Sequence, residues 1–216
     1  MIDPTIAILL AEPSILVVGG CGFVGYHLVR QFVEEEKFSS IYVLSRSATE
    51  SKNHISSVKY YSGDITDFNA IELLIQQIKP TVIIHTASSS PITGSPHEYH
   101  KVSIIGTKNL LSLAKKSSYT YAFIYTSLST IAKGYSHIDL DEDCELANSN
   151  PKAPSYARAK ADAEDIVLRA NTPSLDHTRA LDYCGYLATG ALRFPIIYST
   201  HNTATLPTYL LLVKNK

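Results

Sequence analysis

The stretch ILVVGGCGFVG, residues 15–25, constrains the fold most strongly because it joins a buried strand to a glycine-rich turn. Its first four residues form a short apolar run, which is typical of a parallel strand buried on both faces. Gly19, Gly22 and Gly25 then follow at intervals of three, and apolar residues continue at helical spacing. A strand, a glycine turn and a helix in this order indicate a site for a dinucleotide.

The three glycines have separate physical roles in such a site. One permits the tight turn, another lets the backbone approach a pyrophosphate, and the third allows close packing of helix on strand. The helix that follows would point its free N–H groups and the positive end of its dipole at the phosphates. A glycine-rich turn that binds nothing is the alternative, and the flanking strand and helix favour binding.

Strands and helices alternate along the rest of the chain. The predicted strands span residues 15–18, 41–45, 58–61, 82–86, 122–127 and 191–197, the last interrupted by Pro195. One predicted helix follows the glycine turn, and the others span residues 71–78, 98–116 and 155–169. This alternation predicts an α/β fold, a Rossmann-type doubly wound parallel sheet with helices on both faces.

Length and charge limit the classes of function that fit the chain. At 216 residues it matches one domain, and we expect a single NAD(P)-binding Rossmann domain over residues 1–216, with the start of a substrate lobe from about residue 199. The net charge of −1 predicts no nucleic-acid partner. No apolar run approaches the ~20 residues of a membrane span.

The cysteines and the N-terminus give the expected compartment. The three cysteines are an odd number without metal-type spacing, which favours reduced thiols. The N-terminal segment TIAILLA lacks a basic leader and is broken by Glu12 and Pro13, so we expect no signal peptide. These features predict a cytoplasmic protein, and peripheral association with the endoplasmic reticulum stays open as an alternative.

The ends of the second and third predicted strands bear on the choice of cofactor. Ser45 and Arg46 stand where an acidic residue would normally bind the ribose 2′-hydroxyl of NAD. A hydroxyl and a guanidinium suit the 2′-phosphate of NADP, so we expect NADP, with NAD as the alternative. A surface arginine without a ligand is the simpler interpretation. Asp64 could accept a hydrogen bond from the adenine amine, or it could form a turn.

Tyr156 and Lys160 are the candidate catalytic pair. Four residues apart on a helix, they share a face and can meet around one substrate. A free tyrosine has a pKa of about 10, which a nearby ammonium would lower. Tyr156 would then exchange a proton with a carbonyl or hydroxyl as hydride moves, while Lys160 would also bind the nicotinamide ribose. The pair alone also arises by chance, and its place after a dinucleotide turn and five strands gives it weight.

At this point the chain resembles the extended short-chain dehydrogenase/reductase family, in particular its 3β-hydroxysteroid dehydrogenase and sterol-4α-carboxylate 3-dehydrogenase branch. The resemblance runs from residue 15 to about residue 198 in family order. Its motifs are VGGCGFVG, GDITD, IIHTAS, IIGTKNLL, FIYTS, YARAK and ALRFPIIY. The resemblance implies NAD(P)-dependent interconversion of a secondary alcohol and a ketone, on a hydroxysteroid-like or other small hydrophobic substrate.

The resemblance also implies further site residues and a partner. Ser127 is the candidate serine at the end of the fifth predicted strand. A homodimer is implied through the helices that hold Lys108 and Tyr156. The matched motifs add the remaining cofactor-binding candidates: Phe23, Val24, Ile65, Thr86, Ala87, Ser88 and Pro195.

The chain departs from the family pattern in three ways. Leu128 stands where a second serine usually follows YTS, and leucine cannot donate a hydrogen bond. Ser103 replaces an asparagine common in the family's VNxxGT motif. Family members continue well past residue 216, and THNTATLP stands where a glycine-rich loop is usual. We therefore expect the substrate lobe to be largely missing, with cofactor binding but weak or absent turnover.

The alternatives belong to different functional classes. The first alternative is a truncated or regulatory cofactor-binding protein with little turnover, and a sugar-nucleotide epimerase or dehydratase is a weaker one. His97 and His100 lie one helical turn apart, but no third ligand has suitable spacing, so we expect no metal site. His85, inside a predicted strand, is expected to be a packed residue near the cofactor.

Overall fold

The computed structural model describes residues 12–51, 54–132, 141–172, 186–195 and 197. The expected start of a substrate lobe, from about residue 199, lies outside these residues, as does Cys184. Everything below concerns the described part of the chain.

A parallel sheet of six strands forms the centre of the domain, in the order β3-β2-β1-β4-β5-β6. Each neighbouring pair of strands is parallel. The strand sequences are short apolar runs, which fit a parallel sheet because a strand buried on both faces needs apolar residues throughout. The strands are β1 (Ser14–Val18), β2 (Ser40–Ser45), β3 (Lys59–Ser62), β4 (Val82–His85), β5 (Ala122–Leu128) and β6 (Ala188–Phe194).

Helices connect the strands on both faces of the sheet. A π-helical segment (His100–Gly106) continues directly from one α-helix into the next. The helices are α1 (Phe23–Glu35), α2 (Phe68–Ile78), α3 (Pro96–Tyr99), α4 (Thr107–Lys116) and α5 (Ser155–Arg169). The predicted doubly wound Rossmann-type fold is confirmed.

Alternation along the central strands divides the core into two layers. Ile15 and Val17 pack in one apolar cluster with Val29 of α1. Leu16 and Val18 point the other way, into a cluster that includes residues of α2, α4 and α5. Successive side chains of a strand face opposite sides of the sheet, so β1 supplies both layers. The carboxyl ends of β1, β2, β4 and β5 therefore meet at one edge.

Several predicted boundaries were wrong. The strand predicted over residues 191–197 is β6 (Ala188–Phe194), which ends before Pro195 because proline has no N–H to donate to a neighbouring strand. The helix predicted over residues 71–78 begins at Phe68, since the side chain of Asp67 caps it by accepting from the N–H of Ala70 at 3.1 Å. The π-helical segment was not predicted at all.

Candidate functional site

A cavity of about 690 Å³ lies at the carboxyl edge of the sheet. Its wall includes the glycine turn after β1, the ends of β2, β4 and β5, and Tyr156 of α5. Ligands of open α/β sheets bind at this edge, near the point where the strand order reverses. The volume falls within the range of about 300–1,000 Å³ that is usual for small-molecule sites.

The glycine turn has the geometry that close approach to a ligand requires. Gly19 has φ of +85°, and a Cβ there would lie 2.6 Å from the backbone nitrogen of Ala87. A Cβ on Gly25 would collide with the backbone of Gly19. Position 25 must therefore be glycine for the start of α1 to pack against the end of β1. Gly22 lines the cavity, and a Cβ there would lie 3.2 Å from the oxygen of Gly19.

The N-terminus of α1 opens into the cavity. Gly22 is its N-cap, without a side-chain hydrogen bond to the helix, and Phe23, Val24 and Gly25 of its first turn line the cavity. The first N–H groups of a helix have no partner within it, and together with the helix dipole they attract anions. The residues present therefore fit the pyrophosphate of a dinucleotide.

The end of β2 also reaches the cavity. Ser45 and Arg46 both line it, with Ser47 beside them, and Arg46 is exposed. The pKa of Glu98 is lowered, first by hydrogen bonds from Ser95 and further by the positive charge of Arg46. Arg46 therefore lies close enough to the start of α3 to act on that carboxylate.

Asp64 and Ile65 line the cavity after β3. The Oδ1 atom of Asp64 accepts hydrogen bonds from the N–H and the hydroxyl of Thr66, both at 2.9 Å. This is the local turn that aspartate commonly forms with the residue two positions on. Asp64 thus forms a turn and faces the cavity at the same time.

Three predicted residues after β4 line the cavity together: Thr86, Ala87 and Ser88. The hydroxyl of Thr86 donates to the carbonyl of Val18 at 2.8 Å, which ties β4 to the end of β1. Ser88 reaches across to α5, where its Oγ lies 3.0 Å from the hydroxyl oxygen of Tyr156.

Tyr156 is held at the cavity wall by its neighbours. Its ring packs edge to face on Tyr99, with ring centroids 5.1 Å apart. Tyr99 in turn donates to the carbonyl of Ser90 at 3.1 Å. Burial raises the pKa of Tyr156, because the phenolate is poorly solvated there, and the hydrogen bond with Ser88 opposes that shift.

Lys160 shares the α5 face of Tyr156 but points toward the sheet. Only 2% of it is exposed, and its Nζ donates to the carbonyl of Thr126 at 2.5 Å. Its ammonium also lies 4.2 Å from the ring centroid of Tyr125. Burial lowers the pKa of Lys160 to about 7, and the charge of Glu164 opposes that shift. Tyr156 lines the cavity, whereas the ammonium of Lys160 lies behind the wall.

The end of β5 places Leu128, and not Ser127, at the cavity. The hydroxyl of Ser127 is buried without a hydrogen-bond partner among the described residues. Leu128 faces the opposite side of the strand and lines the cavity, as does Thr130 in the short 3₁₀ turn that follows. Alternation along a strand separates neighbouring side chains in this way. Sequence reasoning missed Thr130.

Other lining residues were also missed from the sequence alone. The serines of ASSSP could have indicated some of them, because they form a polar segment directly after a predicted strand. Pro195 was predicted and does line the cavity. Lining residues that were not predicted from the sequence include Ser89, Ser90, Pro91, Val102 and Phe194.

His85 lies in the core beneath this edge. It is fully buried, and its ring lies 5.4 Å from that of Tyr125, centroid to centroid. Burial lowers the pKa of His85 to about 3, and the charge of Lys160 adds to the effect, so the imidazole is neutral. No group of three potential metal-binding side chains lies together in the described ranges, and no helix there is long and apolar enough to cross a membrane.

Curated relatives are similar over most of the chain. The sterol-4-alpha-carboxylate 3-dehydrogenase (decarboxylating) of Saccharomyces cerevisiae is 32% identical over 187 residues, covering 82% of this chain and 52% of its own length. The 3 beta-hydroxysteroid dehydrogenase type 7 of Mus musculus is 32% identical, covering 81% and 49%. The chain thus spans about half the length of the curated relatives it matches.

Solved structures are similar in fold. The Bordetella bronchiseptica enzyme WbmH, in complex with NAD+, superposes with a TM-score of 0.71 at 21% identity, covering 95% of this chain and 64% of its own. The UDP-glucose 4-epimerase of Brucella ovis, in complex with NAD, gives 0.64 at 25% identity, covering 84% and 51%. Both support the Rossmann-type fold.

One family pattern matches residues 16–216, that of the 3-beta hydroxysteroid dehydrogenase/isomerase family. The match spans nearly the whole chain, including the glycine turn, Tyr156 and Lys160. It confirms the resemblance drawn from the sequence motifs. The chain belongs to the 3-beta hydroxysteroid dehydrogenase/isomerase family, within the extended short-chain dehydrogenase/reductases.

Proposed function

We propose that the chain is an NADP(H)-dependent oxidoreductase that interconverts a secondary alcohol and a ketone on a hydroxysteroid-like or other small hydrophobic substrate. One observation carries this proposal. The hydroxyl of Tyr156, bonded to Ser88, faces the same cavity as the glycine turn and the N-terminus of α1. A proton donor and a dinucleotide site in one cavity are what such a reaction needs.

The binding half of the site is supported by three regions. The N–H groups at the start of α1 suit the pyrophosphate, and Ser45 with Arg46 suits a ribose 2′-phosphate. Asp64 and Ile65 stand at the expected adenine end, and Thr86 and Ala87 lie beside the turn. When bound, the nicotinamide would give hydride to, or take it from, the carbon that bears the substrate oxygen.

Tyr156 is the proposed acid and base. In ketone reduction its hydroxyl proton passes to the substrate oxygen, and in alcohol oxidation the phenolate takes that proton back. Ser88 is the proposed hydrogen-bond partner that orients the Tyr156 hydroxyl. Lys160 favours the phenolate electrostatically, and an ammonium that leaves the carbonyl of Thr126 could also reach a ribose hydroxyl.

The substrate end of the cavity is proposed to be apolar. Val102, Leu128 and Phe194 present apolar side chains there, which suits a hydrophobic ring system. The hydroxyl of Thr130 is the proposed second donor to a substrate oxygen, in place of the serine that Leu128 replaces. The names of the curated relatives, a sterol-4-alpha-carboxylate dehydrogenase and a 3 beta-hydroxysteroid dehydrogenase, support this substrate class.

Replacement of the catalytic hydroxyl tests the proposal. Tyr156→Phe should abolish NADPH-dependent reduction across a panel of steroid and aromatic ketones and leave NADPH affinity nearly unchanged, since the ring still packs on Tyr99. Tyr119→Phe is the matched control, because Tyr119 lies near the opposite edge of the sheet, before β5, and is 38% exposed. Substantial turnover by Tyr156→Phe would show that another group transfers the proton.

A second candidate function is cofactor binding with little turnover. The observation that favours it is the position of Leu128 at the cavity, where it offers no hydrogen bond, while the hydroxyl of Ser127 is buried elsewhere. Tight NADPH binding without reduction of any ketone in the panel would select this candidate. Brisk reduction by the unmodified chain would exclude it.

We also infer a homodimer formed through the helices that hold Lys108 and Tyr156. Ile105, in the π-helical segment, is 37% exposed, and Leu168, on α5, is 46% exposed. A homodimer is what the family resemblance implies, and these two exposed side chains are the ones whose contact with a second copy can be tested on these helices. Sedimentation of the full chain should give twice the monomer mass, and Leu168→Glu should shift it to monomer.

A further inference from the structure

Glu164 is a buried carboxylate one helical turn beyond Lys160 on α5. Only 1% of it is exposed. Residues four apart on a helix lie on the same face, so the side chains of Lys160 and Glu164 both point toward the sheet. A buried carboxylate needs a partner to offset its loss of hydration.

The two oxygens of Glu164 have different surroundings. Oε1 accepts two hydrogen bonds from Arg193 of β6, from Nε at 2.9 Å and from Nη2 at 2.7 Å. Oε2 is buried and has no hydrogen-bond partner among the described residues. The arginine therefore bonds only one oxygen, and the charge of the carboxylate, which is shared by both oxygens, still acts on neighbouring groups.

Arg193 is itself fixed in place. Its Nη1 donates to the carbonyl of Asp141 at 3.3 Å and contacts the Sγ of Cys144 at 3.4 Å. Its Nη2 also donates to the carbonyl of Glu142 at 3.1 Å. Because these contacts use several of its donors, Arg193 cannot turn away from Glu164 without losing them.

The ammonium of Lys160 is enclosed by three elements. β4 contributes the neutral ring of His85, β5 contributes the ring of Tyr125 and the carbonyl of Thr126, and α5 contributes Glu164. Tyr125 is protonated, since burial raises its pKa well above the ordinary value. Of these groups only Glu164 carries a negative charge.

We propose that Glu164 is a positioning residue that keeps the ammonium of Lys160 charged and directed under Tyr156, and that Arg193 holds Glu164 in the orientation this requires. The proposal rests on the proposed function only for its consequence, the binding of cofactor and the support of the Tyr156 phenolate. The electrostatic link between the two side chains can be tested without either.

Loss of the Glu164 charge has a defined effect. Burial already lowers the pKa of Lys160 to about 7, and Glu164 is the charge that opposes this shift. Without it the lysine would be largely neutral at neutral pH. A neutral amine neither favours a phenolate nor offers a charged donor to a ribose hydroxyl.

A direct titration of Lys160 is the decisive experiment. The chain is labelled with ¹³C at lysine Cε, the Lys160 resonance is assigned with Lys160→Arg, and its shift is followed with pH by NMR. Glu164→Gln, which keeps the shape, should lower the pKa of Lys160 by about one pH unit or more. Asp165→Asn is the matched control, since Asp165 is the next acid on α5, is only partly buried and pairs with Arg169 at 2.8 Å.

Cofactor binding provides the second measurement. At pH 7, NADPH affinity of Glu164→Gln should be about fivefold below that of the unmodified chain, and the gap should narrow to about twofold at pH 6, where the lysine regains its proton. A purely structural loss would not recover on acidification. If no chain binds NADPH, the proposed function fails while the NMR titration still decides the role of Glu164.

Two further variants test the orienting role of Arg193 and provide for a Glu164→Gln chain that does not fold. Arg193→Lys should lower the pKa of Lys160 less than Glu164→Gln does, because one charged donor remains. Where Glu164→Gln does not fold, Glu164→Gln/Arg193→Met removes both charges together, which buried pairs often tolerate. It should still lower the lysine pKa, but by less than Glu164→Gln, because the repulsion between Arg193 and Lys160 is lost as well. An unchanged Lys160 titration in the folded variant, or an equal shift in Asp165→Asn, overturns the proposal.

Discussion

The hydroxyl oxygens of Tyr156 and Ser88 lie 3.0 Å apart and join helix α5 to the end of strand β4 at the cavity wall. This contact crosses 68 positions of sequence. It lowers the pKa of Tyr156 against the opposing effect of burial, so the contact bears directly on the acid–base behaviour of the tyrosine.

Ser88→Ala should therefore raise the pKa of Tyr156. Alcohol oxidation needs the phenolate, so the rising limb of its pH profile should move to higher pH, with kcat/KM lower by about tenfold at neutral pH. The measurement is kcat/KM for oxidation against pH. Ser118→Ala, at an exposed serine before β5, should leave the profile in place. An unshifted profile in Ser88→Ala would show that Ser88 does not act on Tyr156.

In a chain extended to include a substrate lobe, Leu128→Ser should raise turnover by placing a hydroxyl at the cavity wall. A single donor to a developing oxyanion is worth about 10²–10³ in rate at its best, and we expect a gain of about tenfold or more in kcat for ketone reduction. Leu128→Ala is the control, since it opens the same space without a donor. Equal rates for the two variants would contradict a role for hydrogen bonding at this position.

Arg46→Ala should remove most of the preference for NADPH over NADH. The guanidinium lines the cavity at the end of β2, where its charge would bind a 2′-phosphate that NADH lacks. We expect NADPH affinity to fall by about tenfold, or ~1.4 kcal/mol, with NADH affinity little changed. Titration calorimetry with both cofactors makes the comparison. Arg30→Ala, which breaks an exposed ion pair with Glu34, is the control and should change the affinity for neither cofactor. Equal affinity of the unmodified chain for NADPH and NADH would rule out the preference.

Gly19→Ala should destabilise the fold and abolish cofactor binding. A Cβ at φ of +85° would be strained and would also lie 2.6 Å from the nitrogen of Ala87. We expect a loss of about 1–3 kcal/mol or more in the free energy of unfolding, measured with urea. Gly190→Ala is the matched control, because a Cβ there meets no atom of the described residues within 4 Å. A Gly19→Ala chain as stable as the control would contradict the account of the turn.

His85→Leu should make stability less sensitive to acid. The pKa of His85 is about 3 in the folded chain against an ordinary 6.5, so the unfolded chain binds the extra proton between these values. The stability that neutral His85 contributes is fully present above about pH 6.5. As the pH decreases toward 3, the free energy of unfolding falls by up to about 1.4 kcal/mol per pH unit. Urea unfolding between about pH 7 and pH 5 should show a shallower slope for His85→Leu than for the exposed control His97→Gln. Identical slopes would place the acid sensitivity elsewhere.

Local sequence patterns were enough to predict the fold and one half of the site. Gly19, Gly22 and Gly25 act through their own backbone and their immediate neighbours, and an apolar run or a helical period is a local property of the chain. The parallel sheet, the turn that opens α1 and the approach of Arg46 to the cavity all follow from such patterns. The family motifs supplied Tyr156 and Ser88 as candidates.

The tertiary structure decided how distant side chains meet. Local periodicity in the sequence cannot reveal contacts between distant elements. Three such contacts shape the site: the hydrogen bond between Tyr156 and Ser88, the hydrogen bond from Lys160 to Thr126, and the ion pair of Glu164 with Arg193. The register of β5 places Leu128 at the cavity and turns Ser127 away from it, because a shift of one residue reverses every side chain of a strand. The sequence by itself determined which elements form, whereas packing decided which side chains face the cavity and which face the core.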